Sequence, residues 1–483
     1  MGTLTRRDFL EQSMLAATAA VGTAGLGHKL LAEEKASVGA NDRLRVAVVG
    51  VRGRGQSHLQ AFAGRADTEV ALICDPDEQI GRSRAEGVAK ATGKAPEFVQ
   101  DTRRVFDDAS IDIVSIATPN HWHALAAIWA MQAGKDVYVE KPVSHNVSEG
   151  RRMVQAARKH NRICQTGTQI RSSTGIQQAM AFLHAGELGE VKISRGLCYK
   201  RRKSIGKVDG PQQVPSYIDY NVWTGPAPLK PLMRTELHYD WHWDFDYGNG
   251  DLGNQGIHQM DLARWALGVD RLAEEVVSLG GRFGYIDDGN TPNTIVSFLR
   301  FGDRQLIFET RGLESEKYRD AAVGDVFHCE NGYLVIGSYA GAAAFDLEGK
   351  MIKQFTGDGD HFDNFVQAVR SRSSSDLNAD IEEGHLSSAL CHLGNVSYQL
   401  GEEKPFADCA AILNGNDAAL ETVDRTKAHL AKAGIDLETT MINVGRRLAF
   451  NPESETFVDD SQADALLTRD YREPFVVPSA ERV

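Results

Sequence analysis

Six cysteines in 483 residues, Cys74, Cys164, Cys198, Cys329, Cys391 and Cys409, form no C-x-x-C pair and no dense framework. That spacing excludes a disulfide scaffold and a cysteine-based zinc module. They read as small core residues, with a disulfide left open. No run of Lys and Arg exceeds the tetrad Lys200-Arg201-Arg202-Lys203, and the net charge is −13. Such a chain repels a phosphate backbone, so nucleic acid is not expected as a partner and the tetrad reads as a solvated loop. No internal repeat and no long low-complexity tract occurs, residues 371–375 being the nearest. The histidines of 121–123 and 238–244 are close neighbours that rarely converge on one ion, and no i, i+4 pair with an acid is present, so no metal is expected.

What is present is an ordinary globular composition, 42% hydrophobic and 25% charged, in a chain long enough for two domains plus appendages. Thr5-Arg6-Arg7-Asp8-Phe9-Leu10 precedes a mild, uncharged apolar stretch over 14–26. This reads as a twin-arginine leader, addressed to the export machinery that delivers folded proteins to the periplasm. The stretch is shorter than the roughly twenty residues that span a bilayer comfortably, which favours a cleaved leader over a permanent anchor.

Short β-branched runs at 44–49, 70–75, 111–117 and 136–139 alternate with helical patterns at 55–62, 79–92 and 122–133. Alternation of this kind predicts a Rossmann-type α/β domain built on a doubly wound parallel sheet. From about residue 190 longer strands follow one another, at 191–199, 275–283, 294–301, 305–310 and 332–336, which predicts a second, α+β domain with a large, mainly antiparallel open sheet. Helices are expected at 148–159, 175–185, 360–370 and 384–400. The resulting division is 1–32 leader, 43–165 nucleotide-binding domain, 166–410 substrate and oligomerisation domain, and 411–483 C-terminal extension. An open sheet is a natural surface for a homo-oligomer, a dimer or tetramer.

Gly50-Val51-Arg52-Gly53-Arg54-Gly55 joins the first strand to the first helix. Gly50 and Gly55 supply the first and third glycines of a G-x-G-x-x-G fingerprint, while Arg52 stands at the middle position and Gly53 beside it relieves the backbone. Asp75 ends the second strand, where a carboxylate accepts hydrogen bonds from adenosine ribose hydroxyls and meets a 2′-phosphate with like charge. NAD is therefore expected over NADP, Arg52 and Arg54 being the two charges that oppose that reading.

Thr118-Pro119-Asn120-His121-Trp122-His123 and Glu140-Lys141-Pro142 each follow a parallel strand, at the edge of the sheet where ligands bind. With these, with 165–171 (which holds Gln169 and Arg171), with 223–228, with Gly253 to Asp261 and with Tyr471-Arg472-Glu473-Pro474-Phe475, the chain resembles the Gfo/Idh/MocA oxidoreductases over nearly all its length after the leader. The resemblance implies a lysine, here Lys141, beside the nicotinamide. It also implies His123 framing that ring, and Glu140 and Gln169 in the nucleotide site. Relatives carry Asp-x-x-x-His as acid/base machinery, and here the pair is Asn254 and His258, with Asp251 and Asp261 nearby to compensate. Arg171, Trp223, Trp241 and His242 are expected to contact a carbohydrate, aromatic faces being suited to pyranose rings.

Alcohol oxidation needs a hydride acceptor and a base at one carbon, and a desolvated lysine is a base near neutrality. The expected activity is oxidation of a sugar, polyol or glycoside hydroxyl with a tightly held NAD recycled in each turnover. Redox-neutral glycoside cleavage and a catalytically silent sugar-binding protein are the alternatives.

Overall fold

The computed structural model describes residues 42–413 and 415–483, so the expected leader lies outside the described residues. The first sheet holds β1 (Leu44–Val49), β2 (Thr68–Cys74), β3 (Glu97–Val99), β4 (Ile113–Ile116), β5 (Asp136–Val139) and β6 (Cys164–Thr166), all parallel, in the order β3-β2-β1-β4-β5-β6. The order reverses between β1 and β4, and this switch point gathers Gly50, Asp75, Thr118 and Lys141 along one edge. Helices α1 (Gly53–Ala63), α2 (Glu78–Thr92), α3 (Asn120–Gln132) and α4 (Val147–Lys159) connect the strands. Valines and isoleucines of β1 and β4 are buried on both faces, as a doubly covered parallel sheet requires.

Two later segments return to this sheet. Phe362 and Phe365 of a distant helix pack with Val46, Val48, Phe62 and Tyr138. Phe475 packs edge-on against Trp122 at a centroid distance of 5.4 Å, which explains why α3 is apolar almost all round.

After α5 (Thr174–His184) comes β7 (Val191–Tyr199), and α6 (Gly256–Leu267) lies across it. Then follow β8 (Glu275–Gly281), β9 (Thr294–Phe301), β10 (Arg304–Arg311), β11 (Val323–Cys329), β12 (Gly332–Ser338), β13 (Gly341–Asp346) and β14 (Met351–Thr356). Helices α7 (His361–Ser371) and α8 (Ile381–Gln399), strand β15 (Glu402–Pro405), helix α9 (Asp417–Lys432) and strand β16 (Met441–Val444) complete the frame. The second sheet runs β14-β13-β12-β11-β7-β10-β9-β8-β16-β15, antiparallel except for the parallel pair β7–β10. One face is covered by α6, α8 and α5, whose apolar residues join Leu299, Leu306 and Phe327 in the largest core.

Helix α9 covers the opposite face and is fastened by charge. Glu309 of β10, 0% exposed, accepts from Arg195 (3.2 Å), Arg311 (3.1 Å), Arg425 of α9 (2.6 and 2.9 Å) and the Tyr199 hydroxyl (2.6 Å). Burial opposes ionisation of Glu309, but the three guanidiniums outweigh it and hold the carboxyl below its usual range. All six cysteines are buried and free, so the disulfide left open by the sequence does not form. Among the described residues no helix is long and apolar enough to cross a membrane.

Candidate active site

Gly50 has φ of +80°, and a Cβ there would lie 2.7 Å from the Ala117 carbonyl oxygen; a Cβ on Gly55 would lie 1.9 Å from the Gly50 oxygen. Both positions therefore require glycine. A Cβ on Gly53 would meet nothing within 4 Å, which leaves the loop bare at the start of α1, and no side chain caps that helix. Free helix amides, a bare loop and a carboxylate at the end of the next strand fit a dinucleotide. So do the buried Oγ1 of Thr118 and Oε1 of Gln169, which line the cleft without a protein partner.

Asp75 accepts from the backbone amides of Val51 (2.9 Å) and Asp77 (3.0 Å), one on each oxygen. Burial, reinforced by the Asp77 charge, pushes its pKa up to about 6 against the pull of those amides and of Arg52. Protonation below that value removes the charge that attracts ribose hydroxyls. The dissociation constant for NAD is accordingly expected to rise as pH falls from 7 to 5, and Asp75→Asn to flatten the dependence; a titration of intrinsic fluorescence at several pH values reads both. The two arginines that opposed the NAD reading are occupied. Arg52, with 53% of its side chain exposed, lies 3.4 Å from Asp77, and Arg54 turns away to Glu140 at 2.7 Å.

Glu140 is the hub below the lysine. It accepts from Arg54 and, at 3.2 Å, from Nε2 of the fully buried His58, whose Nδ1 accepts from the Ser115 hydroxyl at 2.8 Å. Burial would raise the Glu140 pKa, but His58, Arg54 and Lys141 hold it well below the carboxylate range. His58 escaped the sequence reading because it sits inside a helix pattern, one turn from the glycine loop. His123 places Nε2 2.8 Å from the Thr118 carbonyl oxygen and Nδ1 2.6 Å from the Pro142 carbonyl oxygen; burial lowers its pKa, and the neutral ring donates to one of the two.

Lys141 is partly buried, and its Nζ donates to the backbone oxygen of Asn254 at 3.1 Å. Burial lowers its pKa, with Glu140 opposing and Arg54 and Lys200 assisting. His258, on α6, lines the same cleft; its Nδ1 is buried without a partner, and burial followed by the Lys141 charge keeps the ring neutral. The carboxylates proposed as compensation are engaged elsewhere. Asp251 is held by Arg202 through two 2.6 Å bonds, and Asp261 by Arg171 at 2.7 and 2.9 Å.

That last pair corrects one expectation. Arg171 is not in the cleft: it is buried between Asp261 and Glu383, and its chemistry is structural. Gly55 likewise serves the turn and does not line the cleft. Trp223, 3% exposed, stacks on Tyr220, and Trp241, 8% exposed, stacks on His242 at 3.7 Å, so both brace the cleft wall more than they offer open faces. His242 donates from Nδ1 to the Tyr239 carbonyl if that nitrogen carries the proton, at 2.5 Å. Pro119 and Asn120 open α3 at the cleft wall, Asn120 donating to Asn249 at 3.0 Å. The basic tetrad is also corrected: Lys200 and Arg202 line the cleft and are not merely solvated.

The cleft, about 530 Å3, thus runs from the glycine loop to Lys141 and His258 between the two domains. A larger cavity of about 800 Å3, between 201–204, 313–318 and α9, contains none of the Rossmann loops. Among the described residues no group of three or more His, Cys, Asp or Glu side chains is placed to hold a metal ion.

Comparison with known proteins matches residues 44–168 to the family model "Oxidoreductase family, NAD-binding Rossmann fold" and residues 186–429 to "Oxidoreductase family, C-terminal alpha/beta domain". A levoglucosan dehydrogenase of Pseudarthrobacter phenanthrenivorans is 25% identical over 248 residues, 49% of this chain and 54% of that protein. A glycosyl hydrolase family 109 protein of Shewanella pealeana is 29% identical over 154 residues, 31% of this chain and 34% of that one. The chain thus spans about half or less of the length of these curated relatives. The solved levoglucosan dehydrogenase in complex with NADH and levoglucosan has a TM-score of 0.54 at 18% identity, covering 72% of this chain and 95% of that one, a likeness of fold.

Proposed function

Because the chain belongs to the Gfo/Idh/MocA oxidoreductase family and carries its NAD-binding Rossmann fold, we propose that it oxidises a hydroxyl of a sugar, polyol or glycoside. The observation that carries this reading is the convergence of Lys141 from the first domain and His258 from the second on one cleft that also contains the glycine loop. The nicotinamide, when bound, supplies the hydride acceptor. Lys141, its pKa lowered by burial, takes the proton from the substrate hydroxyl; His258, neutral, accepts a hydrogen bond from the same or the neighbouring hydroxyl. Asn254 fixes Lys141 through its backbone oxygen and turns its amide to the substrate as a neutral partner. Glu140, held by Arg54 and His58, positions the lysine turn, and the aromatic wall of 238–243 excludes water.

The paired arginines at 6–7 support export in folded form, and an exported enzyme has no pool of free NAD to draw on. The cofactor is therefore held through the cycle and restored by a second substrate. The relation to glycosyl hydrolase family 109 proteins favours a second reading, in which transient oxidation eases glycosidic cleavage and the hydride returns to the product.

Purified protein should carry nicotinamide absorbance. A screen of sugars, polyols and aryl glycosides without added NAD should change that absorbance or release aglycone. Loss of all nucleotide on purification sinks the recycling cycle. Retained nucleotide with no response to any substrate class replaces the enzyme by a sugar-binding protein.

A further inference from the structure

The substrate end of the cleft has a hydrogen-bond polarity that the reaction above does not use. Lys200, at the end of β7, donates from Nζ to Oε1 of Gln255 at 3.2 Å, and Nε2 of Gln255 donates to the Tyr339 hydroxyl oxygen at 3.2 Å. The chain runs Lys200 to Gln255 to Tyr339, and both ends fix which way the amide faces. What it leaves unspent are donors: the remaining ammonium hydrogens of Lys200 and the hydroxyl hydrogen of Tyr339.

The charges around it point the same way. Glu140 is consumed by Arg54 and His58, and Asp251 is consumed by Arg202. Lys200, bonded only to an amide oxygen, is the ammonium left on the substrate side for a ligand, whereas Lys141 is bonded to a backbone oxygen and interacts with the Glu140 charge. Tyr339, 44% exposed at the tip of the β12–β13 hairpin, lies with its ring 5.6 Å from His258, so the donor row sits beside the reacting centre and open to an incoming ligand.

We propose that the sugar substrate carries a carboxylate, as a uronic acid does, received by Lys200 and Tyr339. This rests on the sugar-oxidising reading of the cleft. A single ammonium flanked by a hydroxyl donor matches a planar monoanion better than a phosphate dianion, which would call for further cations.

The test is a binding measurement on the NAD-loaded protein, so it stands whether or not turnover is found. Gluconic-type ambiguity is avoided by using cyclic pairs: methyl glucuronoside, galacturonoside and mannuronoside, each against its neutral uronamide and parent hexoside, with hexose 6-phosphates as the dianion arm. At least one uronate should bind about 10- to 100-fold tighter than its amide. Lys200→Gln should reduce that ratio to about 2 or less while leaving NAD affinity unchanged. Equal binding of acid and amide in every pair, tighter binding of a phosphate, or an acid preference that survives Lys200→Gln overturns the proposal. Failure of nicotinamide absorbance to respond to any sugar overturns instead the reading on which it rests.

Discussion

Lys141→Ala is expected to lower turnover by about 10²- to 10⁴-fold, the usual worth of a positioned proton acceptor, with nucleotide still bound. The separation of the two effects follows from where the side chain ends. Its Nζ is bonded to the Asn254 backbone oxygen on the substrate side, whereas the glycine loop and Asp75, which would hold the nucleotide's phosphate and ribose, are left intact by the substitution. The wild-type rate should rise with pH and reach its plateau below the ordinary lysine range, because burial favours the neutral amine. In the variant this limb should disappear, and fluorescence transfer from tryptophan to reduced nicotinamide should persist. A variant that keeps both its rate and its pH limb would move the base elsewhere, with His258 as the remaining candidate.

The largest effect on stability is expected at Glu309. Replacing it by glutamine keeps the shape but leaves Arg195, Arg311 and Arg425 around a neutral amide in a site closed to water. Breaking a buried ionic group in this way costs about 3–5 kcal/mol. The half-exposed pair Glu78–Arg82 is the contrast: Glu78→Gln should change stability by no more than about 0.5 kcal/mol. Urea titration compares the two, and hydrogen exchange should show α9 losing protection first, since Arg425 is its anchor. The sign with pH is fixed by the depressed native pKa. The Glu309 contribution is fully present above the unfolded carboxyl's usual value and is lost as pH falls through the lower, native one. A Glu309→Gln protein with unchanged midpoint would show that α9 is held by its apolar face alone.

The parallel sheet was legible because β1, β2, β4 and β5 are short runs of valine and isoleucine punctuated by glycine or acid, a local signal. The strands at 341–346 and 351–356 were not. One is built on Ala342, Ala343 and Ala344, small residues with little strand preference, and the other is an edge strand with most side chains in solvent. Helix α6 escaped notice for the opposite reason: buried on nearly every side, it has no polar stripe to give a period. In the site, the glycine loop, Asp75, Lys141 and His258 were readable as motifs in a strand–helix frame. His58 and the Asp251–Arg202 and Asp261–Arg171 pairs were not, because which carboxylate meets which cation is decided by packing between segments 49 to 90 residues apart. Arg171 shows the cost of inference by analogy: its position in a motif was read correctly, but the direction of its side chain was set by Asp261.

The first sheet completes its two faces with side chains made hundreds of residues after its own strands, Phe362 and Phe365 on one side and Phe475 on the other. During synthesis the N-terminal half is therefore made before some of the side chains that pack on Phe62, Tyr138, Trp122 and Trp129 in the finished fold. The first sheet has its full set of packing partners only once the chain has been made through residue 475.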